Sequence, residues 1–169
     1  MPDFLTRDMT FPGMILIIAI VAIAVLTDVR RRKIYNLLTM PAMLLGFIVN
    51  TIANGFSGTM FAASGLLLGI TLFVLPVALM GRGAGDLKLL AAVGAIGGPV
   101  FVFWCALLTG VAGAVFAIGV LLYKRRLSSI VGGMAYDAVT GFFPEARSNI
   151  RLPYAIPIAV GAVLALAIV

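Results

Sequence analysis

Two carboxylates sit where a catalytic pair would sit, in a chain that is otherwise nearly all hydrocarbon. Asp28 closes the first long apolar run, and Asp86 lies in Gly81-Arg82-Gly83-Ala84-Gly85-Asp86-Leu87-Lys88, where three glycines and two cations interrupt the hydrocarbon again. Two such groups held close can share one proton, because like charges about 3 Å apart cannot both ionise. One then serves as base towards a water and the other as acid towards a leaving amine, and the titration belongs to the pair. Few other chemistries are open. The chain has no His and one cysteine, Cys105, inside an apolar run. This excludes Ser-His and Cys-His nucleophiles, imidazole or multi-thiolate metal sites and an internal disulfide. No cofactor and no metal are expected.

Around Asp86 the glycines have a mechanical use. Gly83 and Gly85 carry no Cβ, so the backbone there can take positive φ and approach another chain, which suits an extended substrate strand laid beside Asp86. Lys88 is expected to snorkel to the lipid headgroups or to pair with a carboxylate. The plainer reading makes Asp86 a loop-end carboxylate neutralised by Lys88 or Arg82, and Asp28 a solvated residue balancing Arg30–Arg32.

The elements that must position these residues are membrane helices. The chain is 63% hydrophobic and 11% charged with a mean hydropathy of +1.20, against roughly 45–50% and about 25% for soluble domains. One integral membrane domain over residues 1–169 is expected. The net charge of +6 falls in short clusters between apolar runs, so it signals topology and not nucleic-acid binding.

Residues 9–27 form an uninterrupted apolar segment, about 28 Å long as helix and close to the roughly 30 Å of bilayer hydrocarbon. Its acidic start and its length argue against a cleaved signal peptide. The uncharged stretch between Lys33 and Arg82 is too long for one crossing, and Asn54-Gly55-Phe56-Ser57-Gly58-Thr59 is the natural turn. Spans at 35–53 and 60–80 result. Gly97-Gly98-Pro99 divides the next apolar stretch into a short span at 87–98 and a longer one at 99–122. The sixth is 152–169, with Pro153 and Pro157 in its first turns. The polar-apolar segment between Lys124 and Arg151 is expected to lie along the interface, and Asp137 within it is read as structural. Glycines 65, 69, 110 and 113 are expected to let helices pack closely.

Six spans put both termini on one side. Alternate loops carry all the Lys and Arg except Arg7, so the positive-inside rule places the termini outside and the basic loops in the cytoplasm. Asp28 and Asp86 then share the cytoplasmic face. The basic clusters are read as topology signals and contacts with anionic lipid.

Gly83-Ala84-Gly85-Asp86 followed by Lys88 resembles the Gly-x-Gly-Asp signature of membrane aspartyl peptidases. Together with Asp28-Val29-Arg30 and Lys33-Ile34-Tyr35-Asn36 upstream, and with Arg151-Leu152-Pro153-Tyr154-Ala155-Ile156-Pro157 at the start of the last span, the chain resembles the type IV prepilin peptidases over essentially its whole length. The resemblance implies an inner-membrane endopeptidase that removes the basic leader of prepilin-like membrane proteins on the cytoplasmic side, with Asp28 and Asp86 as its catalytic residues. Pilus or secretion machinery would be its wider partner. The chain has Tyr35 where the family usually has proline. It also lacks the cysteine-paired segment of the methylating members, which makes it similar to the compact, peptidase-only form of tight-adherence pilus systems, with no N-methyltransferase activity. Two other classes use the same residues: a small transporter with Asp28 and Asp86 as a proton relay, and a non-enzymatic assembly factor.

Overall fold

The computed structural model describes residues 9–80, 83–123 and 154–168, and every described element is a helix. Helix α1 is Phe11–Arg31, α2 is Asn36–Met80, α3 is Ala84–Tyr123 and α4 is Ala155–Ile168. By length and composition α1, Asn36–Val74 and Ala84–Gly119 are long and apolar enough to cross a membrane, and α4 is a shorter apolar helix. The segment from Lys124 to Pro153, with the expected interfacial stretch and Asp137, lies outside the described residues, as do Arg82 and the first eight residues.

Helix α1 begins with Pro12 in its first turn, where the missing N–H has no intrahelical partner to lose. It does not stop at Thr27. It continues through Asp28 to Arg31 and ends where Arg32 turns left-handed (φ 52°), its N–H donating to the Asp28 carbonyl at 2.8 Å. The buried residues Gly13, Ile17, Ile20, Val21, Ala24 and Asp28 make one helical stripe. Ile15, Ile18, Ile23, Leu26 and Val29 are exposed on the rest of the surface. Extending the helix by a turn therefore carries the Asp28 side chain inward on the core face.

Both long helices contain one non-helical residue, and each is a glycine at an expected turn. In α2 it is Gly55 (φ 59°, ψ −140°). There the chain doubles back: Thr51 and Thr59 hydroxyls meet at 2.9 Å, whereas eight residues of continuous helix rise about 12 Å. A Cβ on Gly58 would fall on the Asn50 carbonyl oxygen. The turn is thus one residue wide, with Ser57 and Thr59 already helical, and the broader 54–59 loop expected from the sequence contracts to Gly55. In α3 the break is Gly98 (φ 80°, ψ −178°), followed by Pro99.

The first half of α3 is the centre of the molecule, with every residue from Leu89 to Pro99 buried. It lies between the two legs of α2. On one side Gly46 abuts the Ala95 carbonyl; on the other Gly65 and Gly94 face each other so closely that a Cβ on either would fall on the other's carbonyl oxygen. Gly69 approaches the Leu90 carbonyl in the same way. Small residues let these backbones touch, the packing device of helices that have no hydrophobic contrast with their surroundings. Gly113 abuts the hydroxyl end of Tyr154, whereas among the described residues a Cβ on Gly110 would meet nothing within 4 Å. Helix α4 packs through Gly161 against Thr109 and the Cys105 carbonyl, which leaves the Cys105 side chain fully buried.

Proline at position 99 has no N–H for the Ala95 carbonyl, and the Gly98 turn disturbs the next bond as well. Asn50, only 1% exposed, supplies the replacement: its two Nδ2 hydrogens are shared among the carbonyls of Ala95 and Ile96 at 3.1 Å and of Gly46 in its own helix at 3.0 Å. Replacing Asn50 by Leu leaves two buried carbonyls unmet and is expected to lower stability by about 2–3 kcal/mol. Detergent unfolding midpoints of wild type and Asn50→Leu measure this; indistinguishable midpoints would contradict the role given to Asn50.

Candidate active site

Asp28 occupies the last turn of α1 and is 8% exposed. Its Oδ2 accepts the N–H of Ala155 at 3.1 Å. Ala155 is the first residue of α4, and the Tyr154 carbonyl just before it accepts the Ile158 N–H at 3.3 Å, so Tyr154 caps the helix and Ala155 offers one of its unpaired first amides. The carboxylate thus meets the positive end of α4.

The connection from α1 to α2 is short. Arg32 turns the chain, the Arg31 guanidinium donates to the Tyr35 hydroxyl at 3.3 Å, and the Tyr35 carbonyl accepts the N–H groups of Leu38 and Thr39 to start α2. Tyr35 is therefore the residue that opens α2.

Asp86 lies in the first turn of α3. Gly83 precedes that turn with φ +102°, a conformation that a side chain would strain, and its carbonyl accepts the Leu87 N–H at 3.0 Å. A Cβ at Gly83 would sit 3.4 Å from an Asp86 carboxylate oxygen, so the turn brings backbone close to that group. The two glycines of the motif then differ. Gly85 is helical, and its missing Cβ makes room for Ile34, whose Cβ would be 3.2 Å away. The space expected to admit a substrate strand at Gly85 is filled by the chain's own α1–α2 connection. The Lys88 Nζ donates to the Asn36 side-chain oxygen at 2.9 Å, and among the described residues it pairs with no carboxylate. Gly85 against Ile34 and Lys88 against Asn36 tie the first turn of α3 to the start of α2.

These ties bring Asp86 within electrostatic reach of Asp28, although two legs of α2 separate them in the chain. Tyr154 completes the cluster, within electrostatic reach of Asp86, its ring edge-on to Phe73 with centroids 6.4 Å apart. Of the residues singled out in the sequence, Asp28, Gly83, Gly85, Asp86 and Lys88 all lie at this end of the bundle. The contributions missed were those of Tyr154, the Ala155 amide and Asn36. An aromatic hydroxyl at the head of the last apolar run was the one available signal, since a backbone amide has none. Two carboxylates within electrostatic reach of one another titrate as a coupled pair.

No curated protein and no solved structure matches the chain. The model of the type IV leader peptidase family matches residues 15–118, a stretch that holds Asp28, the α1–α2 connection, both legs of α2 and the whole turn around Asp86. With more than half of its length matched, the chain belongs to the type IV leader peptidase family.

Proposed function

We propose that this protein is a membrane aspartyl endopeptidase that removes the leader of prepilin-like membrane proteins at the cytoplasmic face of the inner membrane. The observation that carries the reading is that the fold brings Asp86, at the start of α3, within electrostatic reach of the buried Asp28 at the end of α1. Membership of a leader peptidase family supports the substrate class.

The reaction rests on what such a pair can do. The ionised carboxylate takes a proton from a water whose oxygen attacks the scissile carbonyl carbon, while the protonated one gives its proton to the carbonyl oxygen, forming a tetrahedral diol. The first carboxyl then passes its proton to the amide nitrogen and the second takes one from a diol hydroxyl. The C–N bond breaks, leaving a carboxylic acid and an amine with both side chains restored. Within this scheme Gly83 lets backbone run close to Asp86, and the Lys88–Asn36 bond holds the turn that carries it.

The same reading has six crossings, with α2 divided at Gly55 and α3 at Gly98, and both termini outside, because Lys and Arg concentrate in alternate loops. The active site then opens to the cytoplasm, and the compact chain acts as a peptidase without methylating its product.

Purified protein in detergent micelles is expected to cleave a prepilin without any ion gradient, which a transporter or a scaffold would not do. Asp28→Asn and Asp86→Asn should each reduce cleavage by at least about 10³-fold while still inserting in membranes, and substantial activity in either variant would refute the pair. For topology, a reporter fused at Val169 should read as exterior; a cytoplasmic reading there breaks the count of six.

A further inference from the structure

Resting on the peptidase reading, we infer that Tyr154 is a positioning residue for the carboxylate pair: its hydroxyl end, seated in the gap that Gly113 leaves, holds the head of α4 so that the Ala155 N–H stays on Asp28. Several parts of the site meet at this one residue. The Tyr154 carbonyl accepts the Ile158 N–H and so opens α4, and the next residue, Ala155, donates to the Asp28 carboxylate at 3.1 Å. The side chain packs on other helices. Its ring is edge-on to Phe73 in the second leg of α2, with centroids 6.4 Å apart, and its hydroxyl end abuts Gly113 in the second half of α3. Main chain and side chain of Tyr154 thus link Asp28 on α1 to α2 and α3.

Gly113 fits the tyrosine by size. A Cβ there would lie 2.6 Å from the hydroxyl oxygen and 3.1 Å from Cζ, so any side chain at position 113 must push the end of the ring back. Gly110, one turn earlier in α3, is the contrast, because among the described residues a Cβ there would meet nothing within 4 Å. The need for a missing side chain is therefore local to Tyr154. The notch also lies at the depth of the motif turn. Unbroken helix from Asp86 to Gly113 would be about 40 Å long. Yet Gly113 touches Tyr154, and Asp86 is within its electrostatic reach, so the break at Gly98 folds α3 back beside its own start. With Phe73 against the ring, a push at the hydroxyl end passes down the side chain to the main chain, since packed interiors transmit strain and do not absorb it. Ala155 is the next residue along that main chain, and its amide is the one on Asp28.

Gly113→Ala puts a methyl where the hydroxyl lies, and Tyr154→Phe withdraws the hydroxyl, so the double variant restores the fit. In prepilin cleavage Gly113→Ala is expected to lower kcat at least about tenfold with KM within about twofold, and the double variant to recover most of the loss. Gly110→Ala adds the same methyl at the open position and should cleave as the wild type does. Full activity in Gly113→Ala, a loss that Tyr154→Phe does not relieve, or a change confined to KM overturns the inference. Hydrogen exchange at the Ala155 amide, read by NMR in micelles, needs no cleavage. That amide should be protected in the wild type, exchange at least about tenfold faster in Gly113→Ala and regain protection in the double variant; unchanged exchange in Gly113→Ala overturns the inference. If Gly113→Ala does not fold, Tyr154→Leu, which removes the ring and its seat, takes its place: exchange at Ala155 should exceed that in Tyr154→Phe, and equal rates overturn the inference. Failure of the wild-type protein to cleave any prepilin tells against the peptidase reading, whereas exchange at Ala155 tells only on the positioning role.

Discussion

A break in a membrane helix exposes backbone groups that lipid cannot satisfy, and this constraint organises the structure from core to site. Where Gly98 and Pro99 interrupt α3, the carbonyls of Ala95 and Ile96 are met by Asn50 from the first leg of α2. Where α4 begins, the free amide of Ala155 is met by Asp28 from α1. The two cases are mirror images, a donor side chain for exposed carbonyls and an acceptor side chain for an exposed amide. One bond stabilises the centre of the bundle. The other gives a buried carboxylate one internal donor, which offsets part of the cost of taking it out of water.

The site depends on the same central helix as the fold. Asp86 stands one turn ahead of Leu89, where the run of buried residues begins, so whatever fixes that run against α2 also fixes the carboxylate. The backbone contacts of Gly65 with Gly94 and of Gly69 with Leu90 set how closely α3 lies on the second leg of α2. At the far end Gly85 on Ile34 and Lys88 on Asn36 close the remaining freedom between the motif turn and the α1–α2 connection. The glycines around Asp86 therefore divide into one that bends the chain, Gly83, and one that lets two parts of the chain touch.

Hydropathy, and residue types with strong local meaning, made part of this structure legible in the sequence. Apolar runs located the helices. Glycine beside small polar residues located the break at Gly55, and Gly97-Gly98-Pro99 the break near Gly98, since both need a conformation that other residues resist. The two carboxylates stood out because charge is rare in such a chain. The features that escaped depend on contacts between distant segments. That α1 runs on to Arg31 and turns Asp28 inward comes from the core it meets, not from local composition. Lys88 finds Asn36 because the helix starts lie side by side, and Gly110 meets none of the described residues although its spacing matches that of glycines that pack. Asn50 is one polar residue in an apolar run, and its meaning appears only beside Pro99.

The last helix shows why the matched stretch is not the whole site. Residues 15–118 supply both carboxylates and the turns that carry them, whereas the amide that Asp28 Oδ2 accepts lies beyond them. The last helix contributes no ionisable side chain within its length and reaches Asp28 through a main-chain amide. A main-chain donor has no signature in the sequence beyond the start of a helix. It is also less exposed to substitution than a side chain, because of the residues available at position 155 only proline takes the N–H away. The contact of α4 with Asp28 is held by the backbone, and the side chains at the start of α4 are free to serve packing, as Tyr154 does against Phe73 and Gly113.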